Sequence, residues 1–336
     1  MDTPGTQKNR QGLIYAAAML ATVLWASSFP GTRYVLQHYS PVAIMLMRFA
    51  SASVTLILFG VARNVIISFA SKRNRRHSNA ASDEQAGQLP AGGVKLSAWA
   101  AKRPMGLPKA KDLPLFLASG LSGVLLYSYF FNTGSVTVEA GISSFIIAAS
   151  PVFTLLLARV FLKEKMKPIG WIGVGVSLAG LALVTLTQTA DFSFNAGIFL
   201  MMIASLCSGV YSYVVRKLTK TYTALETTVY TMVIGTAGMF AFLPDVIREV
   251  PLSGWYVNLV VVFLGVFPAG IAYLAWGYAL SKAEKTAHVT VFSYLIPFVS
   301  ALLGFVWLQE TLTAYALSGG VTIIAGMAMT NFSGKK

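Results

Sequence analysis

Charge is the scarcest property of this sequence. Asp, Glu, Lys and Arg make up 11% of the 336 residues, hydrophobic residues make up 55%, and the mean hydropathy is +0.65. A soluble globular domain carries about 25% charged residues. This deficit excludes a water-soluble globule and predicts an all-α membrane protein, because a helix satisfies its own backbone hydrogen bonds inside the bilayer.

Reactive side chains are also scarce. Cys207 is the only cysteine, which excludes an intramolecular disulfide. The twelve Asp and Glu residues all fall in tails, loops or the ends of apolar stretches. An intramembrane enzyme needs clustered His, Asp or Glu at membrane depth, so we expect no enzyme, no metal site and no cofactor. The same absence favours facilitated diffusion or exchange over proton coupling, although Glu139 and His288 could titrate.

Long apolar runs are what the sequence does have. A helix needs about 20 apolar residues to cross a bilayer, and ten stretches meet this length. We expect the spans at residues 13–32, 41–62, 113–134, 141–162, 168–187, 196–215, 224–243, 257–280, 287–307 and 314–331.

The net charge of +14 is explained by topology rather than by nucleic-acid binding. With the N-terminus in the cytoplasm, 22 of the 26 Lys and Arg residues fall on the cytoplasmic side, ten of them in the loop 63–112. Such a bias follows the positive-inside rule. It predicts a multi-pass protein of the cell (inner) membrane with both termini cytoplasmic, and the lipid bilayer as its main partner.

The chain also repeats itself. At an offset of 146 residues Tyr127, Pro151, Glu164 and Gly180 fall on Tyr273, Pro297, Glu310 and Gly326. Near the start of each half the offset is 183, which pairs Arg33, Tyr39 and Ser40 with Arg216, Tyr222 and Thr223. The 37-residue difference is an insertion in the loop 63–112, whose polar segment 70–111 is predicted to be disordered.

Five spans per repeat is an odd number, so the two copies must cross the membrane in opposite directions. We therefore expect a 5+5 inverted-topology repeat, with spans 1–5 in residues 13–187 and spans 6–10 in residues 196–331. Such repeats are typical of secondary transporters, whose substrate lies between the copies.

The motifs Trp25-Ala-Ser-Ser-Phe-Pro30 and Met47-Arg-Phe49 strengthen this interpretation, together with the segments ending in Phe161-Leu-Lys-Glu164 and Trp307-Leu-Gln-Glu310. In their duplicated order they resemble the drug/metabolite transporter superfamily, and within it the bacterial EamA type with two EamA domains. The resemblance implies alternating access around a cavity lined by spans 1, 3, 4, 6, 8 and 9. It also implies the movement of small polar metabolites, most often outward. The long loop 63–112 departs from the family pattern.

Aromatic and small polar residues are expected to line this cavity. The candidate substrate-binding residues are Tyr127, Asn132, Ser150, Tyr211, Tyr273, Trp276, Ser293 and Tyr294. Pro151 and Pro297 are hinge candidates, because proline removes a helical hydrogen bond and bends the helix. Pro268-Ala-Gly270 is a further flexible point, without a counterpart in the first copy. The structural alternatives for these residues are ordinary helix contacts, packing kinks and an interfacial aromatic belt.

Spans 3, 8 and 9 contain no Lys or Arg, which argues against phosphorylated substrates. Arg48 in span 2 is an exception that could pair with a carboxylate at a helix end, extend toward water, or bind a substrate carboxylate. An aromatic, neutral cavity suits amino acids, aromatic metabolites or organic cations.

The sequence therefore predicts a secondary transporter. The favoured interpretation is an exporter of small polar or amphipathic metabolites such as amino acids. The alternatives are an importer or exchanger of amines or nutrients, and a membrane receptor or sensor without transport. The glycines of spans 5 and 10 allow close helix packing, either within one chain or in a homodimer. The substrate and the direction of transport stay open.

Overall fold

The computed structural model describes residues 4–83, 105–150, 152–153, 167–186, 195–282, 291–310 and 314–333. All regular structure within these ranges is helical, and they contain no β-strand. The prediction of an all-α protein is confirmed for this part of the chain. Pro151, Glu164 and residues 84–104 lie outside the described residues.

The α-helices in chain order are α1 (Pro4–Val35), α2 (Pro41–Asp83), α3 (Leu113–Gly120), α4 (Tyr127–Gly134), α5 (Ala140–Ala148), α6 (Pro168–Leu186), α7 (Ala196–Leu218), α8 (Ala224–Met239), α9 (Leu243–Glu249), α10 (Trp255–Leu264), α11 (Ala272–Lys282), α12 (Ile296–Leu308) and α13 (Ala314–Ser333). Short 3-10 turns occupy Ala110–Asp112, Phe240–Phe242, Val250–Leu252 and Val291–Leu295, and π-helical segments occupy Leu121–Leu126 and Gly265–Ile271.

Six helical stretches are long and apolar enough to cross a membrane: Gln11–Val35, Pro41–Phe69, Ala110–Gly134, Ala196–Leu218, Ala224–Leu252 and Trp255–Ala279. Shorter apolar helices lie at Pro168–Gly180, Ile296–Leu308 and Leu317–Gly326. These stretches overlap predicted spans 1 to 3 and 5 to 10, as expected for a multi-pass membrane protein. Of the predicted fourth span, α5 covers only the first residues, so the ten-span arrangement stays a prediction.

The predicted loop 63–112 is partly ordered. Helix α2 continues through its polar residues to Asp83, and the prediction of a disordered loop is wrong for this part. Residues 63–83 contain no Gly or Pro, so nothing in the sequence ends the helix where the apolar run ends. The returning chain packs against α2, since the backbone N–H of Met105 donates to Asn64 Oδ1 at 2.8 Å.

Pro297 lies at a different place in its helix than expected. The sequence placed it near the middle of a span at 287–307, whereas the structure places it in the first turn of α12, after the 3-10 turn Val291–Leu295. A proline in the first turn costs no helical hydrogen bond, because that N–H has no partner within the helix. Pro297 therefore marks a 3-10 to α transition, and its role as a hinge stays a prediction.

Two tyrosine hydrogen bonds recur at the offsets found in the sequence. Tyr39 donates its hydroxyl to Asn258 Oδ1, and Tyr222 donates its hydroxyl to Asp112 Oδ2 at 2.7 Å. The tyrosines are 183 residues apart, and their acceptors are 146 residues apart. Equivalent positions in the two halves therefore make equivalent contacts.

These two bonds lie at opposite ends of the helix bundle. Tyr39 follows the C-terminal end of α1, where Arg33 donates to the carbonyl of Ser135 at 2.9 Å. The N-terminal end of α7 lies at this same end, because Thr137 donates to Asn195 Oδ1 at 3.2 Å. Tyr222 follows the C-terminal end of α7, about 35 Å away along the helix. The equivalent helices α1 and α7 therefore point in opposite directions.

Helices α6 and α13 pack through glycines. A Cβ atom at Gly180 would lie 2.7 Å from the carbonyl oxygen of Gly319, and one at Gly326 would lie 2.5 Å from that of Gly173. These four residues are two pairs at the 146-residue offset, so the contact is symmetric. Its glycines serve packing within the chain, because only a residue without Cβ allows backbones this close. A homodimer through these two helices stays a prediction and would need their other faces.

We expect Gly326→Ala to lower the melting temperature of the detergent-solubilised protein. The new methyl group would overlap backbone atoms of α6, and overpacking of this kind costs about 1–3 kcal/mol. Gly175→Ala is the matched control, since a Cβ atom at Gly175 meets nothing within 4 Å. Equal melting temperatures for the two variants would show that the close approach is not required.

Candidate functional site

Two π-helical segments directly precede the repeat-related tyrosines. Leu121–Leu126 ends just before Tyr127, and Gly265–Ile271 ends two residues before Tyr273. A π segment interrupts the regular hydrogen-bond ladder and is frequent at functional sites. The flexible point at Pro268 therefore has a structural counterpart in the first copy, contrary to expectation. Sequence alone missed it because the first segment contains no proline.

Five aromatic side chains meet in the interior of the bundle. Trp25 lies 5.5 Å from Tyr273 and 5.0 Å from Trp276 between ring centroids, and Tyr211 lies 5.9 Å from Tyr273. Tyr127 lies about one helical turn after Gly123, against which the ring of Tyr211 packs. All five are half-buried, so each keeps surface that a bound molecule could cover. We call these residues the aromatic cluster.

The neighbouring helices fix the positions of these rings. The ring of Tyr211 lies directly on Gly123 at the centre of the first π segment, where any Cβ atom would overlap it. Tyr127 stacks on Phe131 at 5.6 Å between centroids, and Phe131 packs edge-on against Phe29 at 5.4 Å. The cluster is therefore held by contacts among α1, α4, α7 and α11.

The structure brings together four of the eight predicted residues, namely Tyr127, Tyr211, Tyr273 and Trp276. Asn132 instead donates to the carbonyl of Pro41 at 3.1 Å, while its buried Oδ1 has no hydrogen-bond partner among the described residues. Ser150 and Ser293 are half-buried in helical turns, and the side chain of Tyr294 lies outside the described part. Whether these residues contact a substrate stays a prediction.

Trp25 joins the cluster although the sequence analysis did not name it as a site residue. The available signal was its place in the Trp25–Pro30 motif of the first span, which the family resemblance assigns to the cavity. Motif and span together could not show which face of α1 points inward. That depends on how α1 packs against α11.

Arg48 is the second residue near the aromatic cluster that was not among the predicted site residues. Only 5% of its surface is exposed, so it does not extend toward water. The adjacent Phe49 packs in the same apolar cluster as Tyr273. Neither of the two ion pairs found among the described residues includes Arg48. A buried cation thus lies near the aromatic cluster.

One end of the bundle is closed by an ion pair. Arg33 Nε lies 3.4 Å from Glu310 Oε1, and the other carboxylate oxygen accepts from the backbone N–H of Ala140 at 2.9 Å. Arg33 also donates to the carbonyl of Ser135 at 2.9 Å. These bonds tie α1, the α4–α5 connection and α12 together. Trp25 is eight residues before Arg33, so about 12 Å separate this closure from the aromatic cluster.

Glu139 lies beside this ion pair. Partial burial raises the pKa of its carboxyl group, the negative charge of Glu310 raises it further, and Arg33 opposes the change. A raised pKa means that this arrangement binds a proton more readily than one with a hydrated carboxyl group. The closure is therefore stabilised as the pH falls through the pKa of Glu139.

A cavity of about 590 Å³ opens at the other end of the bundle, among Lys109, Thr219–Ala224, Ser281 and Lys282. It contains three lysines and no residue of the aromatic cluster. Its open position at the end of the bundle makes it a weaker candidate than the aromatic interior for holding a small molecule.

The sequence profile of the EamA-like transporter family matches residues 86–186 and again residues 195–332. A solved crystal structure is similar to this chain at a TM-score of 0.58 and 18% sequence identity, covering 94% of this chain and 95% of that chain. At this identity the likeness concerns the fold alone.

Several curated relatives cover most of the chain, including the following three proteins. The probable terminal-alkyne amino-acid exporter of Streptantibioticus cattleyicolor is 30% identical over 94% of this chain and 92% of its own length. An uncharacterized transporter, YdfC, of Bacillus subtilis is 28% identical over 91% and 87%. An uncharacterized transporter of Archaeoglobus fulgidus is 29% identical over 92% and 95%.

Proposed function

The chain belongs to the EamA-like transporter family, and we propose that it is a secondary transporter that exports small polar or amphipathic metabolites such as amino acids. The observation that carries this proposal is the aromatic cluster, whose Tyr127 and Tyr273 occupy equivalent positions in the two halves. Transporters built from inverted repeats hold their substrate between the repeats near the bilayer midplane. The name of the Streptantibioticus relative supports amino acids as cargo and export as the direction.

The proposed architecture is ten spans in two inverted units, residues 13–187 and 196–331. The recurring tyrosine bonds, the symmetric glycine contact and the opposite directions of α1 and α7 support it. In this arrangement the π segments before Tyr127 and Tyr273 lie at equivalent depths. They supply flexible points beside the site in each unit.

The proposed orientation in the cell (inner) membrane has both termini in the cytoplasm, which places the Arg33–Glu310 closure on the outside. It rests on the positive-inside bias. In a Cys207→Ser background, we expect that a membrane-impermeant thiol reagent added to intact cells leaves Ser82→Cys unlabelled. Thr137→Cys, close to the closed end, is the control that should be labelled. Labelling of Ser82→Cys from outside would contradict the orientation.

Alternating access requires that one end closes when the other opens. By the sequence offsets, the positions equivalent to Arg33 and Glu310 are Arg216 and Glu164. Arg216 lies near the C-terminal end of α7, at the other end of the bundle. The side chain of Arg216 is exposed in this structure, and Glu164 lies outside the described residues. We propose that these two residues pair when the cytoplasmic end closes and the Arg33–Glu310 pair breaks.

A charge-reversal cycle tests this second pair. Arg216→Glu and Glu164→Arg should each slow transport, and the double variant should recover most of the rate, because reversal restores the attraction. Exposed pairs are worth up to about 1 kcal/mol, so we expect a coupling of roughly two- to fivefold. Lys217→Glu, exposed on the same turn, is the control that should show no coupling to Glu164→Arg. Strictly additive losses would contradict the proposal.

Transport itself is tested with purified protein in proteoliposomes. A thermal-shift screen of amino acids, amines and nucleosides identifies a binder, since a ligand stabilises the state that it occupies. Counterflow of that radiolabelled binder then measures transport. The absence of counterflow for every binder would favour a receptor over a transporter.

The aromatic cluster makes a quantitative prediction in the same assay. Trp276→Ala removes stacking or cation–π contact worth roughly 0.5–2 kcal/mol, so substrate affinity should fall by about two- to thirtyfold. Trp255→Ala is the matched control, because Trp255 is 78% exposed and lies outside the cluster. Unchanged affinity in Trp276→Ala would place the substrate elsewhere.

A further inference from the structure

Arg48 is a buried cation whose hydrogen-bonding capacity is largely unused. A guanidinium group has five N–H donors. In the described part of the chain, Nε has no hydrogen-bond partner, and Nη1 reaches only Thr32 Oγ1 at 3.5 Å. The guanidinium carbon lies 5.6 Å from the centroid of the Phe49 ring, a weak contact. Among the described residues, Nε is therefore left without an acceptor and Nη1 has only a long contact.

Such an arrangement is unfavourable by itself. A charged side chain at membrane depth is costly unless an opposite charge and hydrogen bonds compensate it. At the end of α1, Glu310 pairs with Arg33 and Glu139 lies beside that pair, while Glu249 accepts from the backbone N–H of Ser40 at 2.8 Å. None of the described carboxylates forms an ion pair with Arg48.

Helix α2 brings Arg48 close to the aromatic cluster, because the adjacent Phe49 packs in the same apolar cluster as Tyr273. This part of α2 is held by close packing, since Gly265, the first residue of the second π segment, lies against the backbone of Arg48 and the Cβ atom of Ser51. The cation and the half-buried rings therefore border the same interior region.

We propose that Arg48 binds the carboxylate group of the transported substrate between Tyr127 and Tyr273. This assignment rests on the proposed transport function and narrows its substrate class to amphipathic monocarboxylates, amino acids included. The planar guanidinium matches a carboxylate with two parallel hydrogen bonds, and the rings of Trp25 and Trp276 cover the apolar part of the substrate.

The charge of the site separates this class from its alternatives. One cation is neutralised by one carboxylate, whereas a phosphate dianion would leave excess negative charge in the apolar interior. An organic cation would stand beside Arg48 without compensation, and like charges repel strongly where water is excluded. The amine substrates that an aromatic cavity could accept on its own are therefore disfavoured by Arg48.

Thermal-shift titration of the purified full-length protein tests the assignment with matched probes. Benzoate and L-phenylalanine carry a carboxylate, while benzylamine and L-phenylalaninamide are cationic analogues without one. We expect both carboxylates to raise the melting temperature and both amines to leave it unchanged. Arg48→Gln should weaken carboxylate binding at least about tenfold, because it removes a charge-assisted hydrogen-bonded pair.

Two further variants keep this test decisive. Arg48→Lys retains the positive charge but lacks the planar guanidinium group that forms two parallel hydrogen bonds. It should bind carboxylates with intermediate affinity, and it provides a test even if Arg48→Gln folds poorly. Arg248→Gln is the matched control, since Arg248 is an exposed arginine paired with Asp245 and should bind as the unchanged protein does. Without ligand, Arg48→Gln should melt at the same or a higher temperature, because it removes an uncompensated charge.

The results separate this inference from the transport function. If carboxylates bind in an Arg48-dependent way but show no counterflow, the carboxylate site is supported and the transport function is rejected. If an amine shows counterflow that is unchanged in Arg48→Gln, the transport function is supported and the carboxylate site is overturned. The site is also overturned if neither carboxylate stabilises the unchanged protein, or if Arg48→Gln binds them equally well.

Discussion

The absence of water from the bilayer interior is the constraint on which this structure depends. Backbone groups there must find partners within the chain, which is why every described regular element is helical. Polar side chains within the helices meet the same requirement locally. Thr22, Ser51 and Thr55 each donate a hydroxyl to the carbonyl four residues earlier. Their presence therefore gives no evidence of a site.

The same constraint explains where charge is found and why one charge stands out. Ionic contacts such as Arg33–Glu310 lie at an end of the bundle, where water is near and the chain changes direction. Arg48 lies inside, with 5% of its surface exposed. A cation kept at such a place needs a compensating anion, which in the proposed site is the carboxylate of a substrate. The proposed carboxylate site follows from this mismatch.

The recurrence of contacts between the two halves gives the proposed transport cycle a physical basis. Each half has a π segment before its central tyrosine and a tyrosine hydrogen bond at one end. If the two halves can exchange conformations, each end can adopt the contacts that the other now has. The proposed cycle exchanges the closure at the Arg33 end for one at the Arg216 end.

Local properties of the sequence determined the helical class, the approximate spans and the equivalence of Tyr127 with Tyr273, because hydropathy and repetition are read along one dimension. They did not determine where helices end or change type. Helix α2 extends beyond the end of its apolar run, and Pro297 lies in the first turn of a helix instead of bending one in the middle. Only the tertiary structure decided that Trp25 belongs to the aromatic cluster and that Arg48 lies near it. Which side of a helix points inward depends on its rotation and on close approaches to neighbours, as at Gly123 and Gly265, and these arise only when the helices pack together.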